Sequence, residues 1–98
     1  MAKPTLAQLE AFSAICRLGT FQAAAEHLNV TQPSISLRIR DLERIVGKAL
    51  FERRGRSLKL SPDGLVMRQY VDQGLSLFSE MEERLRSGDP LQGSLRIG

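Results

Sequence analysis

The sequence predicts a mainly α fold in which three short helices and a two-stranded hairpin precede one long helix. Three threonines suited to cap a helix, Thr5, Thr20 and Thr31, each come directly before a run of apolar residues at helical spacing. After Gly47 the apolar residues alternate roughly by two, as they do in strands. Ser61 then begins a last stretch that is long enough for a helix of about 26 residues.

The first helix is predicted to begin at Thr5 and to end near Gly19. Thr5 and Gln8 have the T-x-x-Q spacing of a capping box. Leu9, Phe12 and Cys16 continue as one apolar face, on which Cys16 is expected to be a small buried hydrophobe. A glycine just after such a run is a typical helix end. This helix is therefore expected to support the others.

The second and third helices are predicted to be joined by a tight turn. Thr20 caps the second helix, and Asn29 is suited to the left-handed conformation that ends a helix. Thr31 caps the third helix, and Pro33 in its first turn costs no helical hydrogen bond. Two helices joined in this way form a helix-turn-helix, whose second member enters the major groove of DNA.

The third helix, residues 31–46, has two different faces. Its apolar residues recur at steps of three and four and are predicted to face the core: Ile35, Ile39, Leu42 and Val46. The opposite face offers amide, hydroxyl and guanidinium groups, which can bind base edges and phosphates. Its candidate DNA contacts are Thr31, Gln32, Pro33, Ser34, Ser36, Leu37, Arg38 and Arg40, with Arg44 further along.

The hairpin, residues 50–60, is predicted to be a wing with a basic tip. Residues 50–53 and 57–60 are the candidate strands, and Gly55 lies in the turn between them. Arg53, Arg54 and Arg56 could approach a phosphate backbone or a minor groove. Three helices and this hairpin make a winged helix-turn-helix, predicted for residues 1–61.

The long helix, residues 62–87, is predicted to form a homodimer. Part of its apolar stripe can pack on Leu6, Leu9 and Phe12, but about 26 residues span roughly 39 Å, more than this small domain covers. The distal half therefore needs a partner. The predicted dimer contacts are Tyr70, Val71, Leu77, Phe78, Met81 and Leu85.

Charge and composition agree with a nucleic-acid partner. Of the 14 basic and 11 acidic residues, eight basic and three acidic ones fall between Val30 and Leu60, which is where DNA contacts are predicted. A single cysteine excludes an intramolecular disulfide, and no apolar run is long enough for a membrane span or a signal peptide. We therefore expect a cytoplasmic protein without a membrane partner.

Neither an enzyme nor a cofactor site is expected. His27 has no neighbouring metal-ligand residues, and the serines and acidic residues form no recognisable set of nucleophile, base and orienting group. No cofactor is predicted for this fragment. The remaining alternative is a winged-helix adaptor that binds only proteins, and the concentrated positive charge favours DNA over it.

Residues from about Leu6 to Gly64 resemble the N-terminal DNA-binding domain of the LysR-type transcriptional regulators. The molybdate-responsive regulators share parts of the pattern, but the Leu-Phe-Glu-Arg segment at residues 50–53 and the long helix favour LysR. The resemblance is carried by residues 9–12, by 19–21 with 23–25 and Leu28, by 30–34 with Ser36, by Ile39, Leu42, Glu43 and Gly47, by 50–53, and by Leu60 and Ser61 with Gly64.

The resemblance implies more than the domain itself. It implies dimerisation through the long helix, binding of the homodimer to an interrupted inverted repeat in promoter DNA, and a following domain that senses a small-molecule effector. For the whole regulator, the resemblance also leaves a tetramer open. Residues 88–98 would then be a hinge and the start of the effector domain, truncated here, because residues 93–98 resemble the beginning of its first strand.

The resemblance also assigns contacts. Gln32, Pro33 and Ser36 match positions that contact bases or the adjoining backbone, Thr31 and Ser34 match phosphate-side positions, and Arg53 and Arg56 match basic positions of the wing. Leu37 departs from the pattern, because the family often has arginine there, and Arg38 occupies the next position. A leucine can meet a thymine methyl but cannot make bidentate bonds to guanine.

Overall fold

The structure, a computed structural model, describes residues 2–55 and 57–87, except for the side chains of Arg54 and Ser57. The predicted order of elements is confirmed. The helices and strands are α1 (Leu6–Leu18), α2 (Phe21–Leu28), α3 (Gln32–Val46), β1 (Phe51–Arg54), β2 (Ser57–Leu60) and α4 (Pro62–Ser87). The division into residues 1–61, 62–87 and 88–98 stays a prediction, and its last segment lies outside the described residues.

The helix caps follow the predicted chemistry. Thr5 Oγ1 accepts from the backbone N–H of Gln8 at 3.1 Å, and the Thr5 N–H donates to Gln8 Oε1 at 3.0 Å, so the capping box is complete. Thr20 Oγ1 accepts from the N–H of Ala23 at 3.0 Å. Gly19 ends α1 with a φ of 92°, a conformation that favours glycine. Side-chain oxygens thus satisfy amides that have no partner within the helix.

The turn between α2 and α3 is as tight as predicted. Asn29 adopts the left-handed conformation, with φ 62° and ψ 43°, and its N–H bonds back into α2. Thr31 follows after one residue and accepts from the N–H of Ser34 at 3.2 Å. The direction of α3 relative to α2 is therefore fixed by a single left-handed residue and a cap.

One apolar core lies between the four helices and the hairpin. Phe12, Ile15, Ile35, Leu42 and Leu50 are its largest fully buried side chains. Small residues on α1 and α2 let these helices approach closely. The ring centroid of Phe51 lies 5.4 Å from that of Phe12 and 5.9 Å from that of Phe21. The remaining core residues are Ala11, Ala14, Ala24, Ala25, Ile39 and Val71.

The hairpin is antiparallel, and its register pairs Phe51 with Leu60 and Arg54 with Ser57. Gly55 enters the turn with a φ of 61°, which glycine adopts without steric cost. The first strand begins one residue later than the predicted Leu50. Leu50 is buried, and its N–H donates to Glu43 Oε2 at 2.7 Å instead of entering the ladder.

A hydrogen-bonded junction joins α3, the hairpin and α4. Glu43 Oε2 accepts hydrogen bonds from the N–H group of Leu50, at 2.7 Å, and from that of Phe51, at 3.4 Å. The Ser61 hydroxyl donates to the carbonyl of Ala49 at 2.5 Å and accepts from the Gly64 N–H at 2.9 Å, as expected of a residue that caps α4. A Cβ on Gly64 would collide with the Leu50 carbonyl, so this close packing requires glycine.

Only one side of α4 packs on the rest of the chain. Met67, Val71 and Leu75, four residues apart, contact the core through the first half of the helix. Leu75 was not predicted, and Leu6, expected beneath α4, is 48% exposed. Cys16 is half-buried on α1, and burial raises the pKa of its thiol to about 11. The thiol therefore behaves as an apolar group at neutral pH.

Candidate nucleic-acid interface

The solvent side of α3 forms a continuous surface, here called the recognition face. Its orientation is fixed because Ile35, Ile39 and Leu42 on the opposite side are buried in the core. None of its residues is acidic, and it combines an amide, two apolar side chains and two guanidinium groups. The exposed residues that define it are Gln32, Pro33, Leu37, Arg40 and Arg44.

Two hydroxyls lie at the start of this face, where the positive end of the helix dipole favours an anion. Thr31 Oγ1 accepts from the Ser34 N–H and donates its own proton to Ser34 Oγ at 3.1 Å. The Ser34 hydroxyl therefore keeps its proton for an external acceptor, such as a phosphate oxygen. Ser36 is half-buried at the edge of the same face.

The arginines of α3 differ in their surroundings. Arg40 is exposed, and its guanidinium bonds to no other described residue, so all its donors are available to a ligand. Arg44 Nη1 lies 3.3 Å from Asp41 Oδ1, which partly neutralises it. Arg38 is only half-exposed, because it lies about 100° around the helix from Leu37, towards the core. Of the three, Arg40 is placed best for an anionic partner.

The hairpin adds cationic groups next to α3. Arg53 is exposed on β1. Its guanidinium forms no ion pair or hydrogen bond with any other described residue. Of the other predicted wing contacts, the side chain of Arg54 and the whole of Arg56 lie outside the described residues. Lys59, which was not among the predicted contacts, is exposed directly opposite Glu52. Two facing opposite charges contribute little net charge to the wing.

One exposed stripe of α4 is apolar and is here called the apolar face. It consists of exposed Val66, Tyr70, Leu77, Phe78, Met81 and Leu85, of which Tyr70 is 68% exposed and Met81 is 47% exposed. A groove of about 440 Å³ between α4 and the residues Leu9, Val46 and Leu50 continues this surface inward. Monomeric proteins rarely expose apolar side chains in such a row.

Five of the six predicted dimer residues belong to the apolar face, and Val71 does not. Val71 is 7% exposed, forms part of the core and lines the groove between α4 and the residues Leu9, Val46 and Leu50. The role of Val71 as a dimer contact stays a prediction, since the apolar stripe winds around the helix and Val71 lies at its inner edge, against the core. Val66 replaces it on the exposed side, one turn before Tyr70.

The described residues supply neither a metal site nor a membrane span. Residues 2–55 and 57–87 contain no group of three or more His, Cys, Asp or Glu side chains arranged to hold a metal ion. Within the same residues, no helix combines the length and apolar character that crossing a bilayer requires. Polar recognition and apolar pairing are the two properties that these surfaces offer.

A tight helix pair with an exposed, cationic second helix, followed by a two-stranded wing, defines a winged helix-turn-helix protein. Residues 6–65 match the family of bacterial regulatory helix-turn-helix proteins of the lysR type. The chain belongs to this family. The resemblance noted from the sequence is thereby confirmed.

Known relatives agree with this assignment. The chain is 39% identical over 95 residues to the HTH-type transcriptional regulator CfxR of Cupriavidus necator, a match that covers 96% of the chain and 30% of CfxR. The crystal structure of BenM_DBD with catB site 1 DNA superimposes with a TM-score of 0.80 at 32% identity, covering 85% of the chain and 92% of BenM_DBD. The crystal structure of the CbnR_DBD–DNA complex superimposes with a TM-score of 0.76 at 31% identity, covering 86% of the chain and 97% of CbnR_DBD.

These relatives are transcriptional regulators by name and not enzymes. The chain spans about 30% of the length of the curated relatives it matches.

Proposed function

We propose that this chain is the DNA-binding part of a transcriptional regulator, and that its homodimer binds an interrupted inverted repeat in promoter DNA. The recognition face of α3 enters the major groove of each half-site, and the wing contacts the flanking backbone. The observation that carries this proposal is the recognition face itself: exposed, free of carboxylates, and bearing Arg40 without a described partner.

Each predicted contact has a role in this complex. Gln32, Leu37 and Arg40 lie on the exposed side of α3 and face base edges, while the Ser34 hydroxyl and the start of the helix bind a phosphate. Thr31 holds Ser34 in place, and Pro33 packs against the groove. Ser36 and Arg38 contribute from the edges of the face, and Arg53, Arg54 and Arg56 supply cations from the wing.

The apolar face supplies the second copy. Two such faces related by a two-fold axis bury Tyr70, Leu77, Phe78, Met81 and Leu85 against each other and present the two α3 helices to one duplex. Symmetric half-sites on the DNA follow from the symmetry of the dimer. The whole regulator would be a cytoplasmic protein, as a dimer or a tetramer. A small-molecule effector bound by the rest of the chain would change the spacing or bend imposed on the promoter.

In vitro selection from a pool of random duplexes tests this function directly. We expect the selected sequences to share an inverted repeat, and sedimentation to show two chains per duplex. Binding should weaken steeply with salt, since contacts to phosphates release condensed cations. A winged-helix adaptor that binds only proteins would select no sequence and bind duplexes weakly at every salt concentration. That result would overturn the proposal.

A further inference from the structure

Leu37 lies in the middle of the recognition face, and nothing in the fold explains its presence there. Its side chain is 51% exposed, and it belongs neither to the core nor to the partly buried residues that pack against the core. Pro33 lies one turn before it and Arg40 one turn after it on the same side of α3. Leu37 and Pro33 thus form a small apolar patch among groups that bind DNA.

An isolated exposed leucine is common on protein surfaces and by itself indicates no function. The position of Leu37 makes the difference. Any duplex bound by the recognition face would cover this side chain and remove water from it. A leucine offers no donor or acceptor, so a base-edge amino or carbonyl group opposite it would lose a hydrogen bond to water without replacement.

The major-groove edges of the four base pairs offer one apolar group, which is the C5-methyl of thymine. Opposite cytosine, the same leucine would cover the N4 amino donor at a cost. Opposite thymine, it would remove both its own methyl groups and the thymine methyl from water. The chemistry of this position therefore selects thymine.

We propose that Leu37 is a specificity-determining residue that contacts the C5-methyl group of one thymine in each half-site. This inference rests on the proposed function, since it assumes that the recognition face enters the major groove. The ligand group is the methyl and not the whole base, so a 5-methylcytosine at the same position would also be favoured over cytosine.

Removal of single methyl groups from the DNA tests this inference. A duplex from the selection described above is synthesised with each thymine in turn replaced by deoxyuridine, which changes the methyl group alone. We expect one position per half-site at which the 98-residue chain loses about fourfold in affinity, the effect of removing one methyl group from an apolar contact. Replacement in both half-sites should cost about 15-fold.

Protein variants assign that loss to Leu37. Leu37→Ala should bind the thymine and deoxyuridine duplexes equally, and it should keep its unfolding midpoint because the side chain lies outside the core. Leu18→Ala, which truncates another exposed leucine on a different helix, should keep the full fourfold difference. Leu37→Arg should prefer guanine at the same position, since arginine bonds to the O6 and N7 of guanine. At a cytosine placed there, methylation at C5 should improve binding by the wild-type chain.

The results separate this inference from the proposed function. If the chain binds a selected duplex but deoxyuridine changes its affinity at no position, the inference is overturned and the proposed function stands. The same holds if Leu37→Ala keeps the deoxyuridine penalty, because another residue would then contact the methyl. If no duplex is selected, the proposed function fails, and the inference fails with it.

Discussion

The recognition face of α3 and the apolar face of α4 are both exposed helix surfaces, yet their chemistry is opposite. Gln32, Arg40 and Arg44 give the first hydrogen-bond donors and positive charge, whereas the second presents aliphatic and aromatic side chains from Val66 to Leu85. Water solvates the first well and the second poorly. A polyanion suits the first surface, and a second copy of the same surface suits the other.

The buried sides of the two helices are, in contrast, alike. Ile35, Ile39 and Leu42 fix the rotation of α3, and Met67, Val71 and Leu75 fix that of α4. Both stripes pack into the same core. Burial thus decides which face a helix exposes, while the chemistry of the exposed face decides what it binds.

The largest effect is expected from a charge placed on the apolar face. Met81→Glu should raise the dimer dissociation constant roughly a thousandfold, about 4 kcal/mol, because each dimer would bury two carboxylates without partners. Sedimentation equilibrium measures this constant. Ser76→Glu, on the opposite side of α4, should leave it unchanged. Dimers of equal strength in both variants would show that another surface joins the two copies.

The next largest effect is expected at the junction that holds α4 against the wing. Gly64→Ala should lower the free energy of unfolding by about 3 kcal/mol, since the new methyl would overlap the Leu50 carbonyl and the side chain of Leu60. Urea denaturation measures the change. Gly74→Ala places the same methyl in open space on the same helix and should instead stabilise it by about 0.5–1 kcal/mol. Equal losses at both positions would contradict the close packing at Gly64.

A smaller effect is expected where α3 meets the wing. Glu43→Ala should destabilise the fold by about 2 kcal/mol, because the N–H groups of Leu50 and Phe51 would lose their acceptor in a partly buried place. Glu43→Gln keeps an acceptor oxygen and should cost about 1 kcal/mol or less. Thermal unfolding of the two variants compares them. If glutamine were as damaging as alanine, the charge would matter more than the hydrogen bonds.

The smallest effect concerns a single cation of the wing. Arg53→Ala should weaken binding to all duplexes by about 1 kcal/mol and reduce the salt slope by about one, as expected for one lost phosphate contact. Titrations at several salt concentrations measure the slope. Arg86→Ala removes a cation near the end of α4, beside Glu83, and should leave the slope as it was. An unchanged slope in Arg53→Ala would place the wing away from the duplex.

Much of the fold was predictable because its signals are local. Thr5, Thr20 and Thr31 act as caps on residues three positions ahead, and Asn29 ends α2 through its own backbone conformation. The stripe of Ile35, Ile39 and Leu42 repeats within one helix. Such features depend on neighbours along the chain, so spacing alone reveals them.

The features that were missed depend on contacts between distant residues. The Glu43 carboxylate accepts a hydrogen bond from the N–H of Leu50, seven residues later in the chain. Gly64 must lack a side chain because the carbonyl of Leu50, fourteen residues earlier, lies against it. Leu75 packs inward because α1 lies against one side of α4. The spacing marked the stretch around Leu75 as apolar, but it contained no information about where α1 would lie.

The sequence by itself determined the order of the elements, their caps and the polar character of one side of α3, because backbone conformation and helical periodicity are set by adjacent residues. Tertiary structure alone decided how α4 is rotated and that Val71 is buried while Val66 is exposed. The physical reason is that burial is a property of the packed chain. A side chain loses its water only when another element lies against it.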